Sequence, residues 1–235
     1  MGRHFEVRAA AMAATAAKKS AMYMRASKEI YMAAKSGVPD PESNLALRSA
    51  IEKYRKSCPK DVIERAIKKA QGGEATNYIS GRYEAFGPGG SLLIIDTLTD
   101  NTNRALTNVK TAVVRKGGHL GSVVYNFTAC GVLDFKGDEA LRDKVEETLI
   151  LGDVDVKEVT YEDGIIEVLV DPSNFAKAKE ELNGIGINDF ETSEVTMMAN
   201  EKITLEGEDK QKFQNLLDAL DDVEDVQEVY HNVDL

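Results

Sequence analysis

The chain has 235 residues, 43% hydrophobic and 29% charged, with a formal net charge of −11. That length and apolar content suffice for two or three cored domains, and no apolar run nears the roughly 18 residues that span a bilayer. The charge is unevenly placed: residues 1–72 hold 15 Lys+Arg against 7 Asp+Glu, which leaves −19 on the remaining 163. A basic module displaces counterions from phosphates, whereas an acidic one is repelled by them. The division therefore points to a protein that touches nucleic acid with its N-terminal part and holds the rest away. The plain alternative is a pair of solubilised domain surfaces. Cys58 and Cys130 lie far apart without CxxC spacing, as reduced thiols do, and not as a disulfide frame or zinc site. Residues 1–20 lack a secretory apolar core, although their Ala-rich, acid-poor composition also suits a mitochondrial presequence. The expected location is cytoplasmic.

The arm Gly2–Lys19 carries Arg3, Arg8, Lys18 and Lys19 among alanines, with no clear apolar stripe. From Ser20 the spacing of Tyr23, Ser27, Ile30 and Ala34 predicts a helix that Gly37 and Pro39 end. Asp40–Asn44 is a loop supplying an N-cap, and Leu47, Ala50, Ile51 and Tyr54 line a second helix. Pro59 opens a third, with Ile63, Ala66, Ile67 and Ala70 buried, Asp61–Arg65 and Glu64–Lys68 as i,i+4 pairs, and Gly72-Gly73 as the stop.

After Gly73 the pattern changes. Strands are expected at Tyr78–Phe86 and Ser91–Thr99, joined by Gly87-Pro88-Gly89-Gly90 as a tight hairpin, since a Walker loop would need Gly-Lys-Ser/Thr opening a helix. Asn101 can cap a helix with Leu106, Val109 and Val113 buried, ended by Gly117-Gly118. Strands Val123–Phe127 and Val132–Phe135, helix Glu139–Leu151 and strands Val156–Tyr161 and Ile165–Val170 follow. Then come helix Asn174–Leu182 with Ser173 as its cap, strand Phe190–Met198, helix Asp209–Leu220 and strand Val226–Val233. The fold class is α+β: an N-terminal helical domain followed by two small α/β plaits.

Several strings together resemble one family. Gly81-Arg82-Tyr83-Glu84-Ala85-Phe86-Gly87-Pro88-Gly89-Gly90, followed by Leu98-Thr99-Asp100-Asn101-Thr102-Asn103-Arg104, is similar to the central signature of the YebC family. Pro59–Lys69, Ala33-Ala34-Lys35 and Asp40–Asn44 resemble its helical passages, while Met1-Gly2-Arg3 and Val229–Val233 resemble its YeeN-like branch. The resemblance covers essentially the whole chain. It implies three domains: 1–77 basic and helical, 78–134 plus 202–235 as a discontinuous α+β domain, and 135–201 as an inserted ferredoxin-like domain. It also implies cytoplasmic DNA-binding transcriptional regulators, with ribosome-associated translation factors and a mitochondrial translational activator among the members, and no enzymatic activity. Two departures stand out: the arm is alanine-rich where relatives carry lysines, and the loop after Gly121 is short.

The candidate nucleic-acid-binding residues are Arg3, Arg8, Lys18, Lys19, Arg25, Lys28, Lys35, Arg48, Arg55, Lys60, Arg65, Lys68 and Lys69. Cations spaced along a surface each add a phosphate contact, but no recognition helix stands out to read bases. A second contact surface is expected from Gly87, Pro88, Gly89 and Gly90 with Asp100, Asn101, Asn103 and Arg104. Capping accounts for Asp100 or Asn101, but a cation at a helix start opposes the dipole, which singles out Arg104. His4, His119 and His231 have no metal-like partners nearby, and the acidic stretch Asp218–Asp225 lacks EF-hand spacing and reads as a solvated end or a repelling patch. No cofactor, metal, membrane or small-molecule substrate is indicated. The leading expectation is a non-enzymatic DNA-binding regulator acting at promoters. The alternatives are a ribosome-associated translation factor on ribosomal RNA, with the glycine turn and Arg104 near the tRNA or peptide site, and a protein-interaction module using the acidic plaits.

Overall fold

Three helices open the computed structural model, which describes residues 16–72 and 76–234: α1 (Ala16–Lys35), α2 (Leu45–Tyr54) and α3 (Lys60–Gln71). Helix α1 starts before the expected Ser20, inside the alanine-rich stretch, as Ala's high helix propensity favours. Asn44 joins α1 to α2. Its Oδ1 caps α2 by accepting from the Leu47 amide at 3.0 Å, and its Nδ2 donates to the carbonyls of Ala33 and Val38 at 2.8 and 3.0 Å. The three helices bury Ala26, Ile30, Tyr31, Ala34, Leu47, Tyr54, Ile63 and Ala66 in one core. The turn spacing that predicts them reflects burial on a single face.

The first sheet has the order β3-β1-β2-β9, from β1 (Ile79–Phe86), β2 (Leu92–Thr99), β3 (His119–Leu120) and β9 (Val226–His231). Helices α4 (Thr102–Arg115) and α7 (Gly207–Asp221) pack on it, so that Val109, Val113, Phe213 and Leu216 meet Leu93 and Ile95. A single 3₁₀ turn at Pro88–Gly90 joins β1 to β2, with Gly89 and Gly90 at φ +65° and +80°, where a side chain would be strained. Two short strands, β8 (Ile203–Thr204) and β10 (Val233–Asp234), pair in parallel.

The second sheet has the order β5-β6-β4-β7, from β4 (Phe127–Lys136), β5 (Val156–Glu162), β6 (Ile165–Val170) and β7 (Thr192–Ala199). With α5 (Glu139–Leu151) and α6 (Phe175–Gly184) this is the βαββαβ plait, its core built on Leu133, Phe135, Leu149, Ile166 and Leu182. Residues 129–197 form one compact unit, and residues 16–128 with 198–234 form the other.

Four local expectations need correction. Val124–Asn126 is a 3₁₀ turn and not strand, because Glu84 accepts the Val123 and Val124 amides at 2.6 and 2.8 Å and the segment pairs with no neighbour until Phe127. Leu106 is exposed at 42%, since the buried stripe of α4 runs through Ala105, Val109 and Val113. Asp171, and not Ser173, organises the start of α6: its carboxylate accepts from the Ser173 amide at 2.9 Å and hydroxyl at 2.6 Å. These hydrogen bonds hold the Asp171 carboxyl below its usual range. Glu64 reaches back to Lys60 at 3.4 Å and leaves Lys68 aside.

Candidate nucleic-acid interface

Three of the cations of α1, Lys18, Arg25 and Lys28, are not an open surface. Lys18 Nζ lies 3.1 Å from the Asp218 carboxylate, and that hydrogen bond raises the pKa of Lys18. Arg25 donates from Nη1 to the Asp221 carboxylate at 2.7 Å, from Nη2 to the Asp221 carbonyl at 2.9 Å and from Nε to the Val226 carbonyl at 2.9 Å. Asp221 ends α7, so through its carbonyl Arg25 serves an acceptor that the helix itself cannot satisfy and meets the negative end of its dipole. Lys28, only 8% exposed, donates to the Glu224 carbonyl at 2.9 Å. Lys53 bridges Glu29 at 3.2 Å and Glu228 at 2.8 Å. The acidic stretch is therefore a seat for the helical layer. Asp222 and Glu224 stay exposed there, while Asp218, Asp221 and Asp225 pair with cations and the basic and acidic parts neutralise one another along this edge.

Arg104 belongs to the same system. Its Nε and Nη2 donate to the two carboxylate oxygens of fully buried Asp225 at 3.0 and 2.6 Å, and Nη2 also meets Asp100 at 2.8 Å. These bonds raise the pKa of Arg104. Burial works against ionisation of Asp225, yet the hydrogen bonds from Arg104 and Thr99 keep its carboxyl below the usual range. The puzzle of a cation at a helix start is thereby resolved: the guanidinium turns away from the dipole to a bidentate partner 121 residues on. Asn101 caps α4, accepting from the Arg104 amide at 3.0 Å, and Asn103 is exposed. The other half of the expected second surface, Gly87-Pro88-Gly89-Gly90, precedes β2, whereas Asp100–Arg104 follow it. Eight residues of strand, roughly 25 Å, separate them, so they do not make one surface.

The remaining cations are displayed outward. Lys19, Lys35, Arg55, Lys60, Arg65, Lys68 and Lys69 are all exposed, while Arg48 donates to the carbonyls of Pro41 and Glu42 at 3.0 and 2.7 Å. Lys35 and Lys69 both lie over the Tyr31 ring, at 5.9 and 5.5 Å from its centroid, which sets the end of α1 beside the end of α3. Arg65 and Lys60 make i,i+4 pairs with Asp61 (2.6 Å) and Glu64 (3.4 Å), all four side chains exposed. Exposed pairs of this kind contribute little and exchange readily for phosphate. The result is a basic face on α3 with Lys35 at its edge. Arg3 and Arg8 lie outside the described residues. Lys53 was not among the sequence candidates, and nothing local marks it, because its partner Glu228 is far along the chain.

Among the described residues no His/Cys/Asp/Glu group is arranged to hold a metal, and no helix is long and apolar enough to cross a membrane. Residues 3–73 match the family model described as the TACO1/YebC protein N-terminal domain, and residues 78–233 match that described as the TACO1/YebC second and third domain. The chain belongs to the TACO1/YebC family. Within it, the chain is 47% identical over 236 residues to the probable transcriptional regulatory protein Mfl546 of Mesoplasma florum, covering 99% of each protein. Its fold is similar to the crystal structure of the conserved hypothetical protein Aq1575 from Aquifex aeolicus. That match has a TM-score of 0.75 at 29% identity and covers 93% of this chain and 91% of the other.

Proposed function

We propose that this family member is a non-enzymatic regulator of gene expression that binds DNA through the exposed basic face of α3. The observation carrying this is that Lys60, Arg65, Lys68 and Lys69 remain at the surface while Lys18, Arg25 and Lys28 of α1 are engaged by α7 and the segment that leads into β9. The transcriptional name of the Mesoplasma florum relative supports the same reading. Contacts of this kind hold the sugar-phosphate backbone and position the protein without reading sequence. The same chemistry fits ribosomal RNA, so the test compares the two polymers.

The measurement is affinity of the full chain for promoter-length duplex DNA and for ribosomes in co-sedimentation, across a salt series. Binding through the face should weaken steeply with salt, and neutralising these four residues should lower the slope of log K against log salt by about 3 to 4. Wild-type affinity and slope in that variant would remove α3 from the interface. Ribosome pelleting without a DNA complex would move the function to translation.

A further inference from the structure

We propose that the first sheet's unit carries a second nucleic-acid site, a cleft that holds phosphate of a single strand beside an aromatic step for a base. It rests on the nucleic-acid reading above for its ligand class but uses no residue of the α3 face. The cleft has a volume of about 390 Å³ and lies where the end of α4 faces α7, with Pro88 of the glycine turn in its wall. Arg115 and Lys116 line one side, and Lys212 and Asn215 the other, with Asp209 as the acid of the lining. Three cations thus converge in the part of the chain that is otherwise strongly acidic. Arg115 and Lys116 are exposed and make no ion pair among the described residues, and Lys212 pairs with the exposed Glu208 at 2.8 Å and feels the charge of Asp209. A helix end accounts for a cation in the last turn of α4. It does not account for a second helix presenting Lys212 and an amide across from it.

The cleft's geometry suits a strand and not a closed small molecule. Gly117 adopts φ +85° at the rim with nothing within 4 Å of where a Cβ would sit, so the chain turns there without covering the opening. Two residues on, exposed His119 stacks on Phe86 with centroids 5.0 Å apart and planes 17° from parallel. Gly121 holds the loop against that ring, since a Cβ there would come within 2.7 Å of Phe86. Cations that follow a backbone, next to an exposed flat ring, are the pairing by which proteins hold single strands without base readout. Duplex DNA cannot use the ring because its bases are stacked inside.

The test is fluorescence anisotropy of the full chain with a labelled single-stranded RNA of about 12 nucleotides and with duplex DNA. Arg115→Gln/Lys116→Gln/Lys212→Gln should lose about tenfold or more in single-strand affinity and lower its salt slope by about 2. His119→Ala should lose about fivefold or more, and His119→Phe should recover it. Duplex affinity should stay with α3 in all of them. In parallel, amide NMR of the wild type should show inorganic phosphate shifting Gly117 and Asn215, and uridine monophosphate shifting His119 as well. Unchanged single-strand binding in the triple and His119→Ala variants, equal losses for both probes, or amides indifferent to phosphate would each overturn the site while leaving the α3 reading intact. Wild-type protein that binds duplex DNA but not the single strand would overturn the cleft alone, one that binds the single strand but not the duplex would defeat the α3 reading alone, and one that binds neither would defeat both.

Discussion

Helices α1 and α3 carry cations at comparable density, yet they use them oppositely. Along α1, Lys18, Arg25 and Lys28 point to Asp218, Asp221 and Glu224 and fasten the helical layer to the first sheet. Along α3, Lys60 and Arg65 pair, among the described residues, with neighbours one turn away, and Lys68 and Lys69 are exposed. Net charge does not tell a basic face from a basic joint. What separates them is whether carboxylates from another element stand opposite.

The contrast can be broken most directly by neutralising each helix in turn. Lys60→Gln/Arg65→Gln/Lys68→Gln/Lys69→Gln should lower nucleic-acid affinity by about 100-fold or more at moderate salt, with the unfolding midpoint nearly unchanged. A collapse of the melt instead would make α3 part of the joint. The mirror experiment is Arg25→Ala, which leaves the Asp221 carboxylate and two carbonyls without their donor. It should cost about 2 kcal/mol, or roughly 4 to 8 °C in midpoint, and affect affinity far less. Arg104→Ala is expected to behave like Arg25→Ala, since it strands buried Asp225, and Arg104→Lys should rescue it only in part because a single ammonium cannot reproduce the bidentate fork. A stable Arg104→Ala protein with lost binding would return this residue to the interface.

A pH titration sharpens the joint from its far edge. Burial, with Lys202 nearby, pushes His231 from its ordinary 6.5 down to about 4, and its Nδ1 accepts from the Val233 amide at 3.3 Å. The unfolded chain takes a proton near 6.5 and the folded one only near 4, so stability is full above that window and falls as pH drops through it. The loss reaches about 3 kcal/mol at most. His231→Phe should flatten that part of the profile, and identical profiles would exclude the residue as its source. Smallest of all, Asp61→Asn should free Arg65 from its surface pair. Stability should change by a few tenths of a kcal/mol while affinity rises slightly.

Much of this was legible in order along the chain. Helix α5 and strand β6 lie where the sequence places them, because α5 buries Val145 and Leu149 one turn apart, β6 is a short run buried at every position, and both are bounded by Gly or Pro. The short strands β3 and β8 escaped notice, since two residues carry no period. The basic face on α3 could be read because a helix facing solvent shows its pattern locally. The joint could not: Arg25 and Asp221 are 196 positions apart, and each looks like an ordinary solvated charge until the fold brings them together. The partner of Arg104 was hidden for the same reason, as its local setting opposes a cation and Asp225 lies 121 residues on. The cleft draws on Pro88, the end of α4 and the first half of α7, so no single stretch announces it.

The separation of Arg25 from Asp221 also sets an order of events during synthesis. At about 5–20 residues per second, the 196 residues between them take about 10 to 40 s to make. Throughout that interval α1 has been translated but its carboxylate seat has not. A nascent chain in this state presents the cations of α1 and α3 together beside the phosphate-rich ribosome that is making it. The contacts that seat α1 can form only once residues 218–226 have left the tunnel.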